Sequence, residues 1–144
     1  MSVNGSEIEI EVLHFFEFSS KRKRSSIVIR HENQIKMLIK GADNVILDRL
    51  SSEVNHPYRE TTVNILKKFS VKGLRTLCYA IKIFPEDEWA GISAKLDEYS
   101  GSPDKEKLTK ALAEEIEVGF SLLGCSAVED RLQDEVPRCI HDFL

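Results

Sequence analysis

Between Glu7 and Gly41, apolar residues recur with a period of two in three segments separated by short polar turns. Little but an antiparallel meander satisfies that spacing. In the first segment, Glu7 to Phe18, Ile8, Ile10 and Val12 fall on one face and Glu7, Glu9 and Glu11 on the other. The alternation fails beyond Leu13, which predicts a bulge or a change of facing near Phe15 and Phe16. A polar, basic connection from Ser19 to Arg24 leads to a β-branched strand, Ser26 to Arg30. After the turn His31 to Gln34, Ile35, Met37 and Ile39 alternate with Lys36, Leu38 and Lys40, and Gly41 ends the third strand.

Helical periods follow. Asp43 is placed to cap a short helix carrying Ile46 and Leu50. A longer helix over about 60–72 sets Val63, Leu66 and Phe69 on one stripe and ends in lysines before Gly73. From Leu74 to Phe84 the chain is rich in β-formers, with Leu77, Tyr79, Ile81 and Ile83 in alternation. Trp89, Ile92, Leu96 and Tyr99 form a helical stripe. Ser102-Pro103-Asp104 opens another helix with Leu108, Ala111, Leu112 and Ile116 facing inward. Phe120 to Gly124 reads as a strand, Val136 to Leu144 as a last helix, and Ser51 to Pro57 as the only loose stretch. The fold class is therefore α+β, an antiparallel sheet flanked by helices.

Charge and cysteine content narrow the function. A net charge of −4 argues against a dedicated nucleic-acid binder. Cys78, Cys125 and Cys139 contain no CxxC pair, and His14, His31, His56 and His141 show no ligand spacing, so no metal site is expected. No apolar run approaches the ~20 residues of a membrane-spanning helix.

The meander itself points to chemistry. If the first strand runs up to Phe18, the turn Lys21-Arg-Lys-Arg24 lies at the top, and the third strand climbs back to end at Lys40-Gly41. Phe18, the basic turn and Lys40 then share one sheet edge, and Arg75 at the start of another strand joins them. An aromatic face stacks on a base, for about 1–3 kcal/mol, and lysine and arginine serve phosphate or the base edge. Gly41 would permit close approach of backbone to a ligand. GxxxxGK[ST] and GxGxxG are both absent. Each residue also has a plainer role: Phe18 in a core, the basic run as a solvated turn, Lys40 as a strand end and Arg75 as an ion-pair partner.

At the same positions the sequence resembles a known family. Glu17-Phe-Ser-Ser-Lys-Arg-Lys-Arg24, Lys40-Gly-Ala-Asp43, Gly73-Leu-Arg-Thr-Leu-Cys78 and Leu122-Leu-Gly-Cys-Ser-Ala-Val-Glu-Asp-Arg-Leu-Gln133 occur in order. Together they are similar to the nucleotide-binding region of P-type ATPases, specifically the P4 group of phospholipid flippases, from about Val12 onward. The KGA and LR elements are shared with cation pumps; the KGAD form, the Gly73 to Cys78 string and the Leu122 to Gln133 segment are closer to flippases.

The resemblance implies an ATP-binding part of an enzyme that couples ATP hydrolysis, through an aspartyl-phosphate, to lipid movement across a membrane. It implies that Phe18 stacks on adenine, that Lys40 sits at the bottom of the nucleotide pocket, and that Arg75 contacts the phosphate side, with Ser19, Lys23 and Gly41 as neighbours. ATP with Mg2+ would be the ligand. The partners would be the phosphorylation, actuator and membrane domains of a transporter and the family's accessory beta subunit, with no nucleic acid, at the cytosolic face of a membrane.

The resemblance further divides the chain into 1–117, a nucleotide-binding domain incomplete on its N-terminal side, and 118–144, a return segment into the phosphorylation domain. The DKTGT, TGD and GDGxND elements are missing, and Asp43, Asp130 and Asp134 do not match the phosphorylated aspartate. No catalytic residue is therefore assigned, and the chain alone is not expected to complete the reaction. Ser25 stands where the family commonly has methionine. The alternatives are a non-catalytic interaction module derived from this domain, or the equivalent domain of a cation pump.

Overall fold

A computed structural model describes residues 2–3, 6–7, 9–52 and 57–129. The helix expected over Val136–Leu144, and part of the loose stretch after Ser51, lie outside the described residues, as do Cys139, His56 and His141. Two short strands, β1 (Ser2–Val3) and β2 (Ser6–Glu7), pair antiparallel with each other. The main sheet has five strands in sequence order: β3 (Glu11–Ser19), β4 (Arg24–His31), β5 (Gln34–Gly41), β6 (Arg75–Phe84) and β7 (Ser121–Val128), and every neighbouring pair is antiparallel. Helices α1 (Asp43–Leu47) and α2 (Arg59–Val71) connect β5 to β6; α3 (Glu86–Ser100) and α4 (Lys105–Ile116) connect β6 to β7.

The predicted meander is present, and its irregularities fall where the alternation fails. Pairing of β3 with β4 slips between Val12 and His14 and again between Phe16 and Ser19. The turn at Glu32 and Asn33 is tight, with both residues at positive φ. Two helix starts differ from expectation. Ala42, not Asp43, is the N-cap of α1, and Asp43 Oδ1 accepts from the neighbouring Asn44 N–H. Helix α4 begins at Lys105, because Ser102 Oγ accepts from Asp104 N–H and Ser102 O from Lys105 N–H, forming a turn ahead of the helix.

All four helices cover the same face of the sheet. Phe16, Val28, Met37, Ile39, Cys78, Ala80 and Phe84 point into that layer and pack with Ile46, Leu66, Trp89, Ile92, Leu112 and Ile116. Each large apolar side chain so buried contributes on the order of 1.5–3 kcal/mol.

On β6 the structure decides the core face, which alternation alone leaves open. The conspicuous alternating set Leu77, Tyr79, Ile81 and Ile83 lies on the other face, and the smaller Cys78 and Ala80 are buried. Cα packing of α1 and α2 against β6 explains the choice, since small side chains let helices approach a sheet closely. The opposite face carries no helix among the described residues and exposes Val12, Phe15, Ile83, Leu123 and Val128, each more than half accessible.

The boundary expected near Glu117 falls between α4 and β7. The described residues beyond it pair along the length of β6, from Arg75↔Val128 to Ile81↔Ser121. A parallel bridge of Leu50 with Phe120 ties the segment after α1 to the entry of β7.

Candidate functional site

The strand registers bring the sequence-predicted residues to one end of the sheet. Ser25 pairs with Lys40, and Lys40 with Tyr79; one row further, Arg24, Gly41 and Cys78 line up. The Ser19–Arg24 turn rises beyond that row. Arg75 lies four residues before Tyr79 on β6, on the same open face, because side chains alternate along a strand.

The turn is built by its own backbone. Lys23 N–H donates to Ser19 O at 2.7 Å, and Arg22 N–H to Ser19 Oγ at 3.2 Å. Lys23 adopts φ 52°, a left-handed conformation that costs a non-glycine residue roughly 1–2 kcal/mol. Its carbonyl accepts from Ala42 N–H at 3.0 Å, docking the turn onto the end of β5. Gly41 is needed at that contact: a Cβ there would lie 2.6 Å from Lys23 O and 2.7 Å from Arg24 Cβ. The close approach it allows is thus to the turn's own backbone rather than to a ligand.

The four cations of the turn have separate duties. Arg22 and Arg24 are buried, and Lys21 and Lys23 are exposed. Arg24 Nε donates to Glu117 Oε2 at 2.6 Å, and its Nη2 to Glu114 Oε1 at 2.7 Å. Arg22 Nη2 pairs with Glu117 Oε1, which also accepts from Ser26 Oγ at 2.5 Å. Arg49 Nη2 completes the cluster on Glu114 Oε2 at 2.6 Å. Burial pushes the Glu114 carboxyl upward, but hydrogen bonds from Arg24 and Arg49 outweigh it and hold the group below the usual carboxylate range. Only the two lysines of the run therefore present their charge to solvent.

Two clefts lie beside this end. A recess of about 350 Å³ on the open face is walled by Phe15, Ile27, Leu38 and Leu123, with Ser25, Lys40 and Tyr79 as its polar groups. Lys40 is exposed, and Tyr79 Oη shares a hydrogen bond with Ser126 Oγ at 3.0 Å. A larger cleft of about 830 Å³ runs along β3 against α3 and α4; Phe16, Phe18, Ser19, Arg22, Leu96 and Ala113 are among its lining. Phe18 is 65% exposed and lines this second cleft, whereas Lys40 lines the first; Phe15 borders both. The sequence-predicted residues thus share one end of the sheet, but Phe18 and Lys40 are not in one recess.

An apolar recess with a lysine, a hydroxyl and a phenol at its rim suits a flat heteroaromatic ring with polar edges. The charges of Lys21, Lys23 and Arg75 lie toward the same end of the sheet. Among the described residues no group of three or more His, Cys, Asp or Glu side chains converges to hold a metal ion. No helix of the described residues is long and apolar enough to cross a membrane.

Four contributors escaped the sequence reading. Phe15, Tyr79 and Leu123 line the recess because of the facing of β3, β6 and β7, which the bulges decide. Glu117 carried a signal in the sequence: it follows Ala113 by four residues, in register with the buried stripe of α4, where an unpaired acid would be prohibitive.

Comparison with known proteins gives a consistent result. Residues 1–135 match the family model described as P-type ATPase, cytoplasmic domain N. The chain is 44% identical over 142 residues to the phospholipid-transporting ATPase C887.12 of Schizosaccharomyces pombe, covering 97% of this chain and 11% of that protein. It is 42% identical over 140 residues to the phospholipid-transporting ATPase DRS2 of Saccharomyces cerevisiae, covering 95% and 10% respectively. With the probable phospholipid-transporting ATPase 5 of Arabidopsis thaliana it shares 39% over 137 residues, 93% of this chain and 11% of the relative. The chain spans about a tenth of the length of these relatives.

Proposed function

This chain belongs to the P-type ATPase cytoplasmic domain N family, and we propose that it is the ATP-binding portion of a phospholipid-translocating member. The observation that carries the proposal is the placement of Lys40 at the rim of the apolar recess, with Ser25 and Tyr79 beside it and Lys23 and Arg75 at the same sheet end. The base enters the recess against Phe15 and Leu38, and Lys40 serves its polar edge. Phe18, which lines the neighbouring cleft at the irregularity between Phe16 and Ser19, must swing across the sheet edge to cover the exposed face of the base. Lys23 and Arg75 meet the phosphates, and Mg2+ arrives on the triphosphate. The other domains of a larger transporter supply the phosphorylated aspartate, the membrane path and the choice of lipid.

Titration of Mg-ATP into the isotopically labelled chain tests this reading. Amide shifts should cluster at Phe18, Ser25, Lys40, Arg75 and Tyr79. Lys40→Ala should weaken binding roughly tenfold or more, the worth of one charge-assisted hydrogen bond. Phe18→Ala should do the same through lost stacking, roughly five-fold to a hundred-fold. A well-dispersed spectrum that does not move at millimolar Mg-ATP would sink the proposal. Normal binding by both variants would reject the assigned pocket.

A further inference from the structure

We propose that Glu117 is a positioning residue for nucleotide binding: its buried carboxylate fixes the Ser19–Arg24 turn and thereby the placement of Phe18 and Lys23. The inference rests on the nucleotide-binding reading above and adds to it a residue that touches no ligand. Glu117 stands at the C-cap of α4, 93 and 95 positions from its partners Arg24 and Arg22. It is wholly inaccessible, and each carboxylate oxygen accepts from a guanidinium.

What makes the contact more than a core ion pair is what the two arginines do next. Arg22 reaches from Glu117 back across the turn, and its Nη1 donates to Glu17 O at 2.6 Å. Arg24 Nη1 donates to Arg22 O at 3.1 Å. The carbonyls on either side of Phe18–Lys21 are thus gripped by side chains that the same carboxylate orients. Between them sits Lys23 in its left-handed conformation, whose own carbonyl is held by Ala42 N–H. A turn with an unfavourable φ at a non-glycine residue keeps that shape only when its surroundings over-determine it. Here the surroundings are the turn's own backbone bonds together with the two guanidiniums that Glu117 orients, and the functional consequence is that Lys23 stays exposed and Phe18 stays at the strand end.

Each of the three nitrogens of the Arg24 guanidinium donates to an acceptor, whereas Arg22 Nε is buried without a hydrogen-bond partner. Arg22 is therefore the separable link. Glu117→Gln would leave the buried Arg22 guanidinium without its carboxylate partner and Arg24 with Glu114 alone, and would endanger the fold. Arg22→Gln leaves Glu117 its bonds to Arg24 and Ser26 and cuts only the tie to the turn.

The test combines two measurements on the 144-residue chain. Amide hydrogen exchange without nucleotide reports the turn directly: Arg22→Gln should expose the Lys23 and Ala42 amides while sheet amides such as that of Met37 keep their protection. Mg-ATP affinity should fall roughly tenfold in Arg22→Gln. That loss should nearly vanish in a Lys23→Ala background yet remain additive in an Arg75→Ala background, since only a residue acting through the turn couples in this way. Unchanged exchange at Lys23 and Ala42 would overturn the inference whatever the nucleotide does. Additive losses with Lys23→Ala would overturn it by showing that Arg22 does not act through the turn. Altered exchange in a chain that never binds Mg-ATP would refute the nucleotide reading instead, leaving Glu117 a structural role alone.

Discussion

Replacing Gly41 with alanine probes the contact on which the site's geometry depends. The new Cβ would lie 2.6 Å from Lys23 O, 2.7 Å from Arg24 Cβ and 2.9 Å from Arg24 Cα. None of these is the free end of a flexible side chain, so the turn and β4 must back away together. Overpacking of this kind costs about 1–3 kcal/mol. Gly41 has no positive φ, so alanine carries no conformational penalty and regains about 0.4–1 kcal/mol from the unfolded state. The net loss is about 0–3 kcal/mol, with the upper half expected because backbone is the obstacle. For a chain of this size that upper half, about 1.5–3 kcal/mol, lowers Tm by roughly 5–12 °C, taking about 3–4 °C per kcal/mol.

Gly91 supplies the control. It lies inside α3 with nothing within 4 Å of a built Cβ, and it is exposed, so Gly91→Ala should raise stability by up to about 1 kcal/mol. Thermal unfolding followed by circular dichroism separates the two, and the Ala42 amide should lose exchange protection only in Gly41→Ala. A Gly41→Ala protein as stable as the parent, with Ala42 still protected, would refute the close docking of the turn on β5.

Two further outcomes follow from titrating groups. Burial, and then the positive charge of Lys105, push the His14 imidazole below its ordinary value of 6.5, so the unfolded chain takes up this proton first. Stability should fall as pH drops below about 6.5 and level off beneath the folded pKa, and His14→Gln should flatten urea-derived free energies between about pH 7 and 5; parallel curves for parent and variant would exclude the assignment. Burial, with smaller contributions from Cys125 and Asp43, pushes the Cys78 thiol up to about 11, and Cys78 is wholly inaccessible. In a Cys139→Ser background Cys125 should therefore react first with a thiol reagent at pH 8, and Cys78 only at the rate of unfolding.

Element order and sheet type were legible because local patterns carried them. The β3–β5 meander rests on period-two alternation and two polar turns, and α3 on the stripe Trp89, Ile92, Leu96 and Tyr99. The facing of β6 was not legible. Leu77, Tyr79, Ile81 and Ile83 outweigh Cys78 and Ala80 in bulk, yet the helices select the smaller set. Alternation states that a strand has two faces; only the tertiary partners decide which is covered. The recess inherits that difficulty, because Phe15, Tyr79 and Leu123 line it through the same choice of face. A meander fixes the direction of each strand and so the end at which Lys40 lies, but direction alone does not say which cleft a ring such as Phe18 enters.

The basic run Lys21–Arg24 shows why counting charges misleads at this site. In solvent, four adjacent cations would form an anion-attracting patch. Here the geometry of the turn sends Arg22 and Arg24 inward, where Glu117 and Glu114 meet them, and leaves Lys21 and Lys23 outward. The planar forks, best suited to gripping phosphate bidentately, are spent on shaping the turn, and the outward charges are ammonium groups. Ammonium groups hold phosphate as point charges without demanding one orientation. On the proposed function, Arg75 then remains as the one guanidinium assigned to the phosphates, with the outward lysines of the turn as point charges beside it. Lys23→Arg should on this argument bind Mg-ATP at least as tightly as the parent, whereas Arg22→Lys should bind more weakly, for want of a fork spanning Glu117 and the Glu17 carbonyl. The opposite ranking in a calorimetric titration would mean that the phosphates are gripped by the buried guanidiniums and that the cluster opens to admit them.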